Sequence, residues 1–127
     1  MVEIISYNCN SIRNNSEIVK TLLLDCDILF LQEIILEKRD LDILNDFNED
    51  FRHIAFVKDR ESNGICEGRP SGGVALFWRA NLSKFISPVY HDDTVIGIVL
   101  KSTVNFYFRT GQGFGMGSMY FLYFRQF

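Results

Sequence analysis

Oxygen donors of two kinds stand at the ends of two apolar runs. In "SYNCNSIRNN", residues 6–15, Asn8 and Asn10 offer neutral amide oxygens, and in "DILFLQE", residues 27–33, Glu33 offers a carboxylate where the run breaks. One hard anionic oxygen with neutral ones beside it suits a magnesium ion that keeps several waters and meets a substrate phosphate. The same residues also fit plain turn chemistry, because Asn and Ser side chains bond nearby backbone and end a strand without any ligand. The residue types alone leave both readings open.

The first reading needs the two runs to end at one place. "VEIISY" is short and rich in β-branched residues, which predicts a strand buried on both faces. From Ser16, the apolar residues Ile18, Val19, Leu22 and Leu23 form one stripe of a helix, with Asn15 or Ser16 able to cap its start. "DILFLQE" predicts a second strand. A helical crossover joins parallel strands, and the right-handed unit it makes brings both strand ends to one edge of the sheet. Ligands of open α/β sheets gather at that edge, so Asn8, Asn10 and Glu33 are expected to share it.

Further along, "LEKRDLDILNDFNEDF" keeps Leu41, Leu44, Phe47 and Phe51 at helical spacing and predicts a covering helix. "HIAFVKD" and "GVALFWR" predict strands, with the Gly-rich polar loop "RESNGICEGRPSG" between them. "SPVYHDDT" has the composition of an exposed loop, and "VIGIVLKSTVNFYF" predicts one more strand or a hairpin around Lys101 to Thr103. The glycines at 111, 113, 115 and 117 alternate without forming a dinucleotide-binding G-x-G-x-x-G.

A chain that is 47% hydrophobic and 23% charged builds one compact domain rather than a disordered segment. With net charge -3 and pI about 5.3, it has no basic footprint for nonspecific attraction to a phosphate backbone. Cys9, Cys26 and Cys66 are odd in number and show no zinc-site spacing, which fits a reduced, intracellular setting. Glu3 interrupts the only apolar stretch at the N-terminus, and no apolar run approaches the roughly 20 residues of a membrane span, so neither signal peptide nor membrane anchor is expected.

Taken in order, "ISYNCNSIR", "DILFLQE" and "GRPSGGVALFWR", with a helix between the first two, resemble the endonuclease/exonuclease/phosphatase superfamily, and within it the endonuclease domains of non-LTR retrotransposons. The resemblance implies an α/β fold, a four-layer α/β sandwich of two packed sheets. Residues 2–108 would be its N-terminal part, making the sandwich incomplete, and 109–127 a divergent Gly/aromatic tail. It implies that Asn8 organises the phosphate and metal site, that Glu33 is the main metal ligand, and that Asn10 lines the site. The implied cofactor is Mg2+ or Mn2+, held weakly if the site is incomplete. Arg69 and Ser71, in the loop before "GGVALFWR", fall where relatives face substrate, so that Arg69 would bond phosphate or serve only as loop charge. Arg13 is open to the same two readings.

The resemblance also implies magnesium-dependent phosphodiester hydrolysis, a nucleic-acid partner and no membrane. The groups that activate water in relatives belong to a later D-x-N motif and an S-D-H motif, and neither is found here. Asp46–Phe47–Asn48 spells D-x-N but falls in a helical pattern, and His91 with Asp92 and Asp93 falls in loop composition. The expectation is therefore a truncated domain, inactive alone and prone to self-associate through an uncovered sheet. The alternative is a noncatalytic binding or interaction module that retains half of the fold.

Overall fold

Apolar residues follow one another without a break along "ILFL" and "VALF", so each strand must be covered on both faces. The computed structural model describes residues 2–58, 72–91, 95–110 and 113–125, with side chains described up to residue 87. Strand β1 (Val2–Asn8), helix α1 (Ser16–Asp25) and strand β2 (Ile28–Gln32) form the crossover unit, followed by a first 3₁₀ helix (Lys38–Asp46) and strand β3 (Phe51–Phe56). Then come β4 (Val74–Arg79), a second 3₁₀ helix (Ala80–Phe85), β5 (Ile86–His91), β6 (Val95–Thr110) and β7 (Gly113–Arg125).

The strands lie in the order β3-β4-β2-β1-β6-β5, and β7 pairs with β6. β1 runs parallel to β2 with Asn8 opposite Gln32, as a helical crossover requires, and parallel to β6 with Val2 opposite Phe106. β4 runs antiparallel to both β2 and β3. Alternation divides the core in two. Ile5, Leu29, Leu31, Ala75 and Phe77 face α1 and the first 3₁₀ helix, meeting Val19, Leu23 and Leu44. Val2, Ile4, Ile28, Phe30, Val74 and Leu76 form the other face, with Ile54, Phe56, Trp78, Leu82 and Phe85 packed against them. Each fully buried Leu, Ile or Phe contributes about 1.5–3 kcal/mol by leaving water.

Several expectations are corrected here. The covering helix is a 3₁₀ helix that stops at Asp46, and Phe51 opens β3 instead. The period explains this: Leu41, Leu44 and Phe47 recur every third residue, the repeat of a 3₁₀ helix, in which they form one row. α1 buries Val19 and Leu23 but leaves Ile18 47% exposed, a narrower stripe than predicted. "ISPVYH" is strand rather than loop, with Pro88 in the strand that ends the sheet order, where a missing N–H is tolerated. "VIGIVLKSTVNFYF" is a continuous strand whose pairing with β7 shifts between Lys101 and Phe106, the place where a hairpin was the alternative. Gly113–Arg125, within the segment read as a divergent Gly/aromatic tail, pairs along β6. On the second face Val2, Ile4, Ile28, Phe30, Val74 and Leu76 are at most 5% exposed, while Trp78 on β4 is half-buried.

Candidate active site

The pairing of β1 with β2 does not stop where the strands do. Beyond Asn8, the Cys9 N–H donates to the Gln32 carbonyl at 3.0 Å, the Ser11 N–H to Glu33 at 2.9 Å and the Ile12 N–H to Ile34 at 3.1 Å. Asn10 is the extra residue in this extended ladder, and its N–H turns back to the Asn8 Oδ1 at 3.2 Å. Asn8, Asn10 and Glu33 are thus brought to one rim, the two asparagines exposed and Glu33 half-buried.

The rim holds the four non-glycine residues of positive φ among the described residues: Asn10 (43°), Ser11 (81°), Glu33 (53°) and Ile35 (52°). Asn adopts this left-handed region most easily, while each such residue costs on the order of 1–3 kcal/mol that the surroundings must repay. On the far side of the Glu33 loop, the Ile34 N–H donates to Gly73 at 3.3 Å and the Ile35 N–H to Gly72 at 2.9 Å. Gly73 has φ 91°, and a Cβ there would lie 2.8 Å from Ile34 Cγ1 and 3.0 Å from Val57 Cγ1. Only glycine lets the approach to β4 come so close. The Glu33 loop is held by backbone bonds on both sides.

Beneath the rim lies Cys9, buried, with its Sγ 3.3 Å from the Gln32 carbonyl and 3.5 Å from that of Glu33. Burial is the main cause that pushes this thiol up to about 12, with the nearby Glu33 charge adding to it. Cys9 is therefore a protonated donor that braces the ladder, with no thiolate for catalysis or metal binding. Asn15 stands at the N-cap position of α1 yet makes no capping bond with its side chain. Its Nδ2 donates instead to the carbonyls of Cys9 at 2.8 Å, Asn10 at 3.2 Å and Ser11 at 3.4 Å. Gln32 Nε2 donates to Ser6 Oγ at 3.1 Å, tying the last turns of the two strands.

The remaining candidates fall elsewhere. Arg69 and Ser71 lie outside the described residues, as do Cys66, Asp92, Asp93 and the side chain of His91. Arg13 pairs with Asp40 at 3.4 Å, linking the β1 exit to the first 3₁₀ helix. Asp46–Phe47–Asn48 lies at the end of the first 3₁₀ helix, before β3, whose first residue Phe51 pairs with the far end of β4 away from the rim, and Asn48 Oδ1 accepts from the Asp50 N–H in a turn. His53 also lies away from the rim, opposite Phe77, with its ring 5.4 Å from that of Phe77 and its pKa lowered by burial.

Sequence reading names Asn15 only as a possible helix cap and does not single out the Gly72–Gly73 pair or Asp27. Asp27 Oδ2 accepts from the Glu3 N–H at 2.8 Å and Oδ1 from Arg79 Nε at 3.1 Å, locking β1, β2 and β4 at the end opposite the rim. "SGG" carried a turn signal for the glycines. One acid before an apolar run carries none for Asp27.

The description "Endonuclease/Exonuclease/phosphatase family" matches residues 5–115, most of the chain and both strands of the rim. The chain belongs to this family. Among solved structures, the family member is similar to a 3′ phosphatase from Neisseria bound to a product DNA hairpin, at 20% identity and TM-score 0.51, over 76% of this chain and 37% of that one. It is also similar to a 3′-5′ exonuclease from Neisseria meningitidis at 19% identity and TM-score 0.49, with the same coverage. The first likeness is one of fold, and the chain spans 37% of the length of either structure. No curated protein matches the chain. Among the described residues, no three His, Cys, Asp or Glu gather to hold a metal ion, and no helix is long and apolar enough to cross a membrane.

Proposed function

We propose that this chain carries the metal- and phosphate-organising part of a divalent-metal phosphodiester hydrolase acting on nucleic acid. The observation that supports this most is the meeting of Asn8 and Glu33 at the paired ends of adjacent parallel strands. Glu33 is the metal ligand, Asn8 supplies a neutral oxygen to the metal or an amide to phosphate, and Asn10 lines the approach. Arg69 and Ser71 are assigned to substrate contact on the family resemblance alone.

The donors present fit a hard cation such as Mg2+ or Mn2+, but sparsely, with one carboxylate and one amide oxygen that already accepts from the Asn10 N–H. Such a set holds an ion that keeps most of its waters and gains further oxygens from substrate phosphate. When bound, the ion supplies stabilisation of charge building on the phosphoryl oxygens and leaving group. The chain's own part is to fix the carboxylate. The left-handed turn at Glu33 is tied to Ser11 on one side and to the glycine turn on the other, which limits its drift.

Among the described residues, none at the rim is an Asp-paired histidine for water activation. His53 is on β3, opposite Phe77, and the sequence has no S-D-H. These 127 residues are thus proposed not to cleave alone, and that favours, as the second reading, a noncatalytic module that binds metal and phosphate.

Mn2+ titration followed by water-proton relaxation tests the site. We expect weak binding that falls at least tenfold in Glu33→Gln, and no magnesium-dependent nicking of supercoiled DNA above a Glu33→Ala control. Equal Mn2+ binding in Glu33→Gln would refute the metal assignment, whereas robust nicking lost in Glu33→Ala would refute the noncatalytic reading.

A further inference from the structure

Asn is among the best N-cap residues because its side-chain oxygen accepts a bond from the first turn of the helix. Asn15 occupies that position at α1 and gives up the role. Only its backbone serves the helix, with the carbonyl accepting from the Val19 N–H at 3.1 Å. The side-chain amide reaches back to three consecutive carbonyls, those of Cys9, Asn10 and Ser11. Two of these residues, Asn10 and Ser11, are the left-handed pair of the β1 exit.

An accounting of the amides shows what this arrangement leaves to Asn15. The N–H groups of Cys9, Ser11 and Ile12 go to the β2 side, that of Asn10 goes to Asn8 Oδ1, and those of Asn14 and Asn15 go to Ser11 Oγ and the Ser11 carbonyl. Donors are thus used up on neighbours while carbonyls 9 to 11 converge on one point. A cluster of carbonyl oxygens repels itself unless a donor sits among them, and the Asn15 NH2 is that donor, with its shortest bond to Cys9 at 2.8 Å.

We propose that Asn15 is a positioning residue for the rim: its amide holds the left-handed exit of β1, and through the Ser11 N–H to Glu33 carbonyl bond it fixes the backbone that carries Glu33. The inference rests on the proposed metal site for its consequence, though not for its structural content. Asn15 touches no substrate and acts through Asn8, Asn10 and the Glu33 loop.

Asn15→Asp separates this role from capping. The change is nearly isosteric, and an Asp at an N-cap is as favourable as Asn, more so with its charge near the positive end of the helix dipole. A capping residue would therefore keep or gain stability. A positioning amide loses its donor and sets a carboxylate against three carbonyl oxygens. In the full 127-residue chain at pH 7, we expect amide hydrogen exchange at Ser11 and Ile12 to accelerate at least tenfold in Asn15→Asp while Val19 and Leu23, inside α1, keep their protection. We also expect Mn2+ affinity to fall by about 10-fold or more, the usual effect of an outer-shell change, without loss of the folded far-UV spectrum.

Unchanged exchange at Ser11 and Ile12, or faster exchange across α1 instead, would overturn the proposal. If Asn15→Asp does not fold, Asn15→Ser, which can still cap but carries one short donor, must show the same localised loss, and uniform loss along α1 would overturn it. Absence of Glu33-dependent Mn2+ binding in the unaltered chain would count against the metal site alone, and the exchange measurement would still decide the role of Asn15.

Discussion

Replacing Gly73 by alanine tests the close approach that holds the Glu33 loop. An alanine at φ 91° costs about 1–2 kcal/mol in backbone strain. Its Cβ would lie 2.8 Å from Ile34 Cγ1 and 3.0 Å from Val57 Cγ1, and Ile34 is fully buried with no room to retreat. Overpacking of that kind costs about 1–3 kcal/mol. The stiffer unfolded chain returns about 0.4–1 kcal/mol. The net expectation is a loss of about 3 kcal/mol, which at urea slopes of about 1–3 kcal/mol per molar lowers the unfolding midpoint by about 1–3 M with the slope unchanged. Equilibrium urea unfolding by tryptophan fluorescence reads this directly, since Trp78 is on the neighbouring face of β4. A midpoint unchanged within about 0.3 M, or raised, would show that the glycine turn does not press on Ile34.

Other consequences can be measured alongside. Asp27→Ala removes the acceptor shared by the Glu3 N–H and Arg79 Nε and is expected to cost about 2 kcal/mol, the site being part-exposed; Asp27→Asn, which keeps one acceptor, should cost less, and equal effects would argue against the two-sided bond. Cys9 and Cys26, both buried, have thiols raised from the ordinary 9.0 to about 12, chiefly by burial, and should resist iodoacetamide at pH 8 until the chain unfolds; rapid native-state labelling mapped to either would refute this. The same shifts set a pH dependence: the unfolded chain sheds these thiol protons above about 9 while the folded chain keeps them to about 12, so stability should be fully present below pH 9 and fall as pH rises toward 12. A Cys9→Ser, Cys26→Ser variant should flatten that slope, and an equal slope would assign it to other groups.

The parallel unit and its rim were legible because two short β-branched runs flank one amphipathic helix, and that order leaves few topologies. Asn8 and Glu33 could be placed at one edge from connection length alone. What the rim is made of was not legible. Glu33, Ser11 and Ile35 have no intrinsic preference for positive φ, and they adopt it because bonds to segments distant in sequence repay the cost. Asn15 reads locally as a helix cap, and the three carbonyls that claim its amide converge only after the β1 exit has folded. The covering helix expected from the spacing is present, but as a 3₁₀ helix, because Leu41, Leu44 and Phe47 satisfy a 3.6-residue repeat loosely and a three-residue repeat closely. From Gly113 to Gly117, glycines alternate with Phe114 and Met116 in the period of a strand, but glycine has poor strand propensity, and the pairing with β6 outweighs it.

The position of β1 between a near and a distant neighbour sets a schedule for synthesis. Its partner on one side begins at Ile28, while on the other side Val2 meets Phe106. A ribosome adding about 5–20 residues per second delivers β2 within a few seconds and the far part of β6 only after about 5–20 s. During that interval β2, β4 and β3 can assemble on one edge of β1 while the other edge keeps its N–H and C=O groups open beside Ile4 and Ile5. β1 is thus made before its neighbours yet enclosed on its second side only when β6 arrives, and throughout that interval the nascent chain must be guarded against pairing with other chains.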